Sequence, residues 1–170
     1  MTYLIDAGVL ITANALYYPI DRVPEFWGWL LHHAEAGRVK VPLEIYEEIK
    51  DGPTEHERDL LYDWVTDEDI KCHLILDEDV DPSLVSRVVM DGYAQDLTDS
   101  EIEQIGRDPF LVAYAMRDLR GRTVVTTEVS KPSKQRQNKK LPDVCTSFGV
   151  RWLDTFAFVR ELNFSTSWRR

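Results

Sequence analysis

Tyr-Leu-Ile-Asp at residues 3–6 is the stretch that decides the fold. Three consecutive apolar side chains that end at an acid are typical of a short buried strand. Short apolar or β-branched runs recur at 39–41, 123–126 and 150–153, and helical patterns lie between them. This alternation predicts an α/β fold, with a mainly parallel sheet covered by helices. In such sheets function collects at the carboxyl ends of the strands.

The helices are predicted from their caps and from their apolar spacing. Residues 24–37 begin with proline and end with glycine, and residues 108–119 begin with Asp-Pro. The apolar run at 73–76 predicts a weak fifth strand. Shorter helices are predicted at 9–15, 43–51, 55–66, 82–95, 99–105, 142–148 and 155–162.

Length and composition are those of one domain. The 170 residues, 44% of them apolar, are enough to bury a core without disulfides. No apolar run reaches the roughly 18–20 residues of a membrane span, and the first residues lack the basic segment of a signal peptide. We therefore expect a cytoplasmic protein without membrane contact, in which Cys72 and Cys145 are reduced thiols.

The charge of the chain is distributed unevenly. The net charge is −10, which argues against a simple nucleic-acid binder, because affinity for phosphates comes largely from Lys and Arg. Residues 130–140 hold five bases and no acid, so the rest of the chain carries −15. These five are candidate phosphate ligands, although a mobile solvated loop is the simpler interpretation. They are Lys131, Lys134, Arg136, Lys139 and Lys140.

Two acids follow predicted strands. Asp6 comes directly after the first strand, and Glu128 lies just beyond the strand 123–126. Because the carboxyl ends of parallel strands share one edge of a sheet, both are expected at that edge. Each has an ordinary alternative as a loop carboxylate or helix cap.

Asp108 has a strong alternative interpretation, because Asp before Pro is a common N-cap. It nevertheless heads the helical stripe formed by Leu111, Val112 and Ala115, which faces the core. A capping acid is less expected on the inward side of a helix than on the solvent side.

A fourth acid is expected on the helix after the second strand. At about 100° per residue, Glu48 falls nearest the buried line of Ile45 and Ile49. Glu44 and Glu47 are interpreted as solvated helix charges.

Four carboxylates from separate segments indicate a metal site. Packed carboxylates repel one another, and burying them is costly unless a cation neutralises them. Oxygen ligands suit Mg²⁺ or Mn²⁺ rather than zinc, and the four histidines show no zinc spacing. Such ions can activate water and stabilise the charge of a phosphodiester transition state.

The chain resembles PIN domains in four motifs that occur in the family's order. Tyr-Leu-Ile-Asp-Ala-Gly-Val-Leu-Ile at 3–11 is similar to the opening strand, and Val-Pro-Leu-Glu-Ile-Tyr-Glu-Glu-Ile at 41–49 to the second motif. Asp-Pro-Phe-Leu-Val-Ala-Tyr-Ala at 108–115 resembles the third motif, and Val-Val-Thr-Thr-Glu at 124–128 the fourth. A PIN-like branch of unknown function is the nearest in pattern, since its members share Tyr-Tyr-Pro (17–19), a tryptophan-bearing first long helix and a late Lys-Leu-Pro-Asp-Val-Cys-like segment (140–145).

The resemblance implies a three-layer α/β/α fold of four to five strands, over residues 1–164, with a short tail at 165–170. It implies a Mg²⁺- or Mn²⁺-dependent ribonuclease that acts on RNA as the toxin of a toxin–antitoxin pair, with an antitoxin partner and a homodimeric, cytoplasmic form. It implies that the four acids act in catalysis as metal ligands and that Asp143 adds a fifth oxygen, although a plain N-cap fits Asp143 equally well. The four are Asp6, Glu48, Asp108 and Glu128.

Two departures from the PIN pattern keep a second hypothesis open. Position 8 is Gly where the family commonly has Asn or Ser, and Glu128 stands where it has Asp. The alternative is therefore a catalytically weak PIN-like module that binds RNA or a protein partner. A haloacid-dehalogenase-like phosphatase needs a second Asp at position 8 and ranks lower.

Overall fold

The computed structural model of the protein describes residues 1–51 and 59–169. The protein is built around a four-stranded sheet in the order β2-β1-β3-β4, and every neighbouring pair of strands is parallel. The predicted α/β fold with a parallel sheet is therefore confirmed. The strands are β1 (Thr2–Ile5), β2 (Val39–Lys40), β3 (Arg122–Thr126) and β4 (Arg151–Asp154).

Ten α-helices lie in the described part of the chain. They are α1 (Ala7–Thr12), α2 (Pro24–Glu35), α3 (Leu43–Lys50), α4 (Leu60–Thr66), α5 (Glu68–Leu74), α6 (Pro82–Arg87), α7 (Asp99–Ile105), α8 (Asp108–Met116), α9 (Leu141–Ser147) and α10 (Thr155–Glu161). Two π-helices, Ala13–Tyr17 and Val88–Tyr93, continue α1 and α6, and a short 3₁₀ helix covers Arg136–Asn138.

Both faces of the sheet are covered. Successive strand residues point to opposite faces, and Tyr3, Leu4 and Ile5 of β1 are all buried. The Tyr3 ring lies 5.3 Å from that of Phe158 on α10, and Phe158 packs on Trp29 of α2, so these two helices cover one face. Because Leu4 points the other way and is equally buried, the sheet is the middle layer of three.

The segment 73–76 is not a strand, so that prediction was wrong. The Asp67 side chain accepts hydrogen bonds from the amides of Asp69 and Ile70, and the helix it caps continues to Leu74. Only Ile75 pairs with the sheet region, in a single parallel bridge to Val41. The capped helix therefore forms in place of the strand that the apolar run predicts.

Several predicted helices differ in their bounds. The helix predicted over 55–66 is seen as Leu60–Thr66, and its predicted first positions lie outside the described residues. The helix predicted over 82–95 changes type at Val88 and ends at Tyr93. Within the described ranges, no helix has the length and apolar character needed to cross a membrane.

Candidate active site

The carboxyl edge of the sheet holds Asp6 and Glu128 on neighbouring strands. Asp6 follows β1, and its amide donates to the Val125 carbonyl of β3 at 3.0 Å. The Thr126 hydroxyl donates to Asp6 Oδ2 at 2.8 Å and accepts from the Glu128 amide at 3.1 Å. Thr126 thus connects the two acids and fixes the position of one oxygen of Asp6.

Asp108 reaches the same place from the first turn of α8. Its pKa is raised from 3.8 to about 8, chiefly by burial and in addition by the negative charges of Asp6, Glu128 and Glu48. The Tyr93 hydroxyl donates to Asp108 Oδ2 at 3.4 Å and opposes the rise. The carboxyl group of Asp108 is therefore held where its charged form is disfavoured.

Asp6 is the second buried acid of the cluster. Burial raises its pKa from 3.8 to about 6, against the hydrogen bond from Thr126, and the charges of Glu48 and Glu128 add to the rise. Because these charges act on Asp6 and Asp108 alike, the structure brings together the four acids that the sequence analysis singled out.

Glu48 is the exposed member of the cluster. Partial burial raises its pKa, and the nearby guanidinium of Arg107 lowers it. Arg107 is itself held by the Glu44 carbonyl and, at 3.3 Å, by the Asp51 carboxylate. Glu44 is half-buried, with one carboxylate oxygen shielded from solvent, so its interpretation as a solvated charge was wrong.

Glu128 has both carboxylate oxygens engaged. Lys140 Nζ lies 2.6 Å from Oε1, and the Leu141 amide donates to Oε2 at 2.7 Å. Asp143 is engaged in the same way by the Ser130 hydroxyl and by the Lys131 amide, the latter at 2.7 Å. These bonds attach the basic segment at both of its ends.

The donor set is suited to a hard dication, although one ligand is otherwise engaged. All four acids supply oxygen, and the two buried ones repel each other, which is the situation that Mg²⁺ or Mn²⁺ relieves. Across residues 1–51 and 59–169, however, no three His, Cys, Asp or Glu side chains are arranged to hold a metal ion. Glu128 would join Asp6 and Asp108 on an ion only by exchanging Lys140 for it.

Three of the five predicted phosphate ligands hold the basic segment to the body of the protein. Arg136 pairs with Asp96 and Glu101 at 2.7 and 2.9 Å. Lys139 Nζ donates to the Gly92 carbonyl at 2.6 Å, and Lys140 pairs with Glu128.

Lys131 and Lys134 differ from the other three bases. Together with Lys139 and Lys140, they line a cleft of about 320 Å³ whose wall also includes Asp108 and Glu128. In the described part of the chain, however, the ammonium groups of Lys131 and Lys134 form no ion pair. The structure therefore places two cationic side chains beside the acidic cluster.

Neither Asp108 nor Asp143 caps its helix. α8 and α9 begin at Asp108 and Leu141, so the two acids lie inside the first turn rather than before it. The N-cap alternatives were wrong: Asp108 is the first residue of α8 and Asp143 the third of α9, and the residues in the N-cap positions are Arg107 and Lys140. The part of Asp143 in metal binding stays a prediction.

Gly8 is explained by a close approach. A Cβ atom built on Gly8 would lie 2.8 Å from Thr127 Oγ1 and 3.5 Å from Asp6 Oδ2. The Thr127 hydroxyl therefore lies close to the space that a side chain at position 8 would use, which accounts for the departure from the PIN pattern.

Sequence reasoning did not find Thr126, Tyr93 or Arg107. Thr126 was the last residue of a predicted strand, so its place at the end of that strand could be predicted, but its hydrogen bond to Asp6 could not. Tyr93 ends a π-helix, whose extra residue changes the face on which a side chain lies. Cys145 was also missed: it is fully buried, and the charges of Asp108 and Asp6 add to the burial that raises the pKa of its thiol.

The fold and site define an α/β protein with a carboxylate cluster at the carboxyl edge of a parallel sheet. Residues 3–166 match a protein family described as a domain of unknown function, DUF4411. Since the match covers most of the chain, the protein belongs to this family. No curated protein matches the chain.

Proposed function

We propose that this protein is a PIN-like, Mg²⁺- or Mn²⁺-dependent endoribonuclease that hydrolyses RNA phosphodiester bonds. The observation that carries the proposal is the pair of buried acids, Asp6 and Asp108, whose ionised forms are disfavoured by burial and by the negative charges of neighbouring carboxylates. A protein gains nothing in stability from such an arrangement, so a cationic ligand is the simplest reason for it.

The neighbourhood of the acids supports a phosphate substrate. Lys131 and Lys134 lie in the cleft beside Asp108 and Glu128, and long ammonium side chains bind phosphate oxygens well. The four motifs that resemble PIN domains occur in order along a chain with a parallel sheet, which is compatible with that family.

Each group has a distinct part in the proposed reaction. Asp6 and Asp108, with Glu128 and Glu48, would hold the ion, which when bound supplies charge neutralisation and an activated water. Thr126 orients Asp6, and Tyr93 orients Asp108. Lys131 and Lys134, which line the cleft beside Asp108 and Glu128, bind the phosphate.

The biological setting belongs to the same proposal. PIN-domain toxins are cytoplasmic, often dimeric and held by an antitoxin. Through its resemblance to them, we propose a toxin role, an antitoxin partner and a homodimer for this protein.

The test is cleavage of a mixed RNA with and without Mn²⁺ or Mg²⁺. Asp108→Asn should reduce the rate by about 100-fold or more, since even partners of metal ligands cost 10- to 100-fold. Glu48→Gln should also reduce it. Glu47→Gln is the matched control on α3, because among the described residues the Glu47 carboxylate pairs only with Lys50, at the surface. Full cleavage in EDTA, or full cleavage by Asp108→Asn, would overturn the proposal.

The second candidate is a catalytically weak module that binds RNA or a protein partner. It is favoured by one observation, the engagement of both Glu128 oxygens by Lys140 and Leu141. It predicts RNA binding without turnover at any concentration of divalent ion, so measured turnover that depends on Asp6 excludes it.

A further inference from the structure

The cleft beside the acids is lined by three carboxamides in addition to its lysines and acids. Gln104, Gln137 and Asn138 line it together with Lys131 and Lys134. Two of these amides sit on the short 3₁₀ helix Arg136–Asn138 within the basic segment. This helix is attached to the body of the protein in an unusual way.

Arg136 adopts a backbone conformation that side chains disfavour. Its φ is +52°, in the left-handed region, where residues other than glycine are uncommon. Such conformations persist only where the surroundings impose them, and they cluster at functional sites. The strained backbone at Arg136 therefore indicates a functional role for this turn.

The Arg136 guanidinium imposes the conformation through several hydrogen bonds. It donates to both carboxylate oxygens of Glu101, each at 2.9 Å, and to the Asp96 carboxylate at 2.7 Å. Glu101 is fixed in turn by a capping box with Thr98 at the start of α7. We call this set of hydrogen bonds from Arg136 to Glu101 and Asp96 the Arg136 clamp. Because the guanidinium is already paired, Arg136 contributes to the cleft by positioning the residues that follow it.

The first of those residues, Gln137, has an unused acceptor. Its Oε1 is buried and has no hydrogen-bond partner among the described residues. A buried acceptor without a donor is costly, so the Gln137 amide gains hydrogen bonds when its side chain turns into the cleft and meets a ligand donor. The neighbouring Asn138 Oδ1 accepts only a long bond, 3.4 Å, from Gln104 Nε2.

The carboxamides of the cleft are suited to the base of a nucleotide, whereas the lysines are suited to its phosphate. A carbonyl acceptor repels a phosphate but accepts from the amino or imino groups of a base. Side-chain amides, with one donor and one acceptor in a plane, match the edges of unpaired bases. The phosphate of the same nucleotide can reach Lys131 or Lys134 within a cleft of about 320 Å³.

We propose that Gln137, positioned by the Arg136 clamp and flanked by Asn138 and Gln104, reads one unpaired base of the RNA next to the phosphate at the acidic cluster. The inference rests on the proposed function, because it makes RNA the ligand of the cleft. It adds that this protein cleaves with a preference for one base, and that Gln137 sets the preference.

The first experiment compares cleavage of an RNA with randomised sequence by the wild type, Gln137→Ala and Gln137→Glu, with the cut positions read by sequencing. The wild type should favour one base next to the cut by about tenfold, the discrimination expected of hydrogen bonds to a base edge. Gln137→Ala should lose this preference while keeping Mn²⁺-dependent cleavage. Gln137→Glu should change it, because Glu keeps the acceptor and loses the amide donor.

Gln135→Ala is the matched control. Gln135 is exposed and lies outside the lining of the cleft in the described structure, two residues from Gln137. This variant should cleave with the wild-type preference. A wild type without any base preference, or a Gln137→Ala variant that keeps it, would overturn the inference.

A binding experiment separates this inference from the nuclease proposal. The four nucleoside 5′-monophosphates and ribose 5-phosphate are titrated into the wild type and Gln137→Ala, followed by the side-chain amide signals in NMR. Base-selective binding that Gln137→Ala abolishes supports the inference, even if no variant cleaves RNA, in which case the nuclease proposal alone fails. Equal binding of all four nucleotides and of ribose 5-phosphate overturns it.

Discussion

At the scale of single residues, the site is an arrangement of charges that the protein interior opposes. Asp108 has a pKa of about 8 and Asp6 of about 6, both raised chiefly by burial. Near neutral pH the metal-free protein therefore keeps a proton on Asp108. A cation that binds here has to displace that proton, so its affinity should increase with pH.

The first prediction concerns the pH dependence of stability. Because the folded pKa of Asp108 is raised from 3.8 to about 8, the folded state binds more protons than the unfolded state between these values. The free energy of unfolding of the metal-free protein should then fall as pH rises through this window. Asp108→Asn removes this contribution, so urea denaturation should show the variant more stable than the wild type at pH 8 and the difference shrinking towards pH 4.

Asp6→Asn provides a comparison: because the pKa of Asp6 is raised only from 3.8 to about 6, the change in stability with pH that this acid causes should lie between these two values. If Asp108→Asn follows the wild-type pH profile throughout, the burial argument for this acid is wrong.

The second prediction concerns the hydroxyl that orients Asp6. Thr126→Val keeps the shape of a fully buried side chain but removes its bonds to Asp6 Oδ2 and the Glu128 amide. We expect a loss of about 1–3 kcal/mol of unfolding free energy, a higher pKa for Asp6 and weaker Mn²⁺ binding by calorimetry. Thr155→Val is the matched control, since the buried Thr155 hydroxyl has no partner in the described part of the chain, and this change should cost nothing.

At the scale of elements, the first turn of α1 and the end of β3 fit each other closely. Gly8 lies on α1, and Thr127 follows β3 directly. Alanine in place of a helical glycine usually stabilises by up to about 1 kcal/mol. Here the added Cβ would meet Thr127 Oγ1 at 2.8 Å, a distance at which something must move.

The third prediction is that Gly8→Ala destabilises the protein by about 1–3 kcal/mol, measured by urea denaturation, and that Thr127→Ala relieves the effect in the double variant. Gly28→Ala on α2 is the control: its nearest neighbour, 3.2 Å from the added Cβ, is the end of the Arg169 side chain, which can move. Additive effects of Gly8→Ala and Thr127→Ala would contradict the proposed contact.

The elements also show how much could be predicted from the sequence. Strand ends and inward helical stripes are local patterns, and they located Asp6, Glu128 and Asp108. Tyr93 depends on a π-helix, and Arg136 on a left-handed turn held by α7, neither of which has a local signal. The contact between Gly8 and Thr127 joins residues that are distant in sequence, so it emerges only from the fold.

At the scale of the whole molecule, an acidic protein is expected to bind RNA through few cationic contacts. The net charge is −10, and three of the five bases at 130–140 are paired or bonded within the protein. This leaves Lys131 and Lys134 to contact phosphates. Attraction of RNA over long distances should therefore be weak, and a bound dication should matter correspondingly more.

The fourth prediction is a shallow salt dependence of RNA binding. Two phosphate contacts on a single strand give a slope of about −1.4 for log K against log[salt], whereas five would give about −3.5. Fluorescence anisotropy of a short RNA with Asp108→Asn, between about 50 and 200 mM KCl at constant Mg²⁺, measures the slope. A steep slope would show that Arg136, Lys139 or Lys140 leaves its partner on binding.

The two cysteines have a practical consequence. Cys72 is exposed, and Cys145 is sealed beside Asp6 and Asp108 with a thiol that resists ionisation. Maleimide reagents, which attack thiolates, should therefore label the native chain at Cys72 alone. A nitroxide attached there would sense the paramagnetism of Mn²⁺, so the distance from label to ion could be measured without engineering a single position.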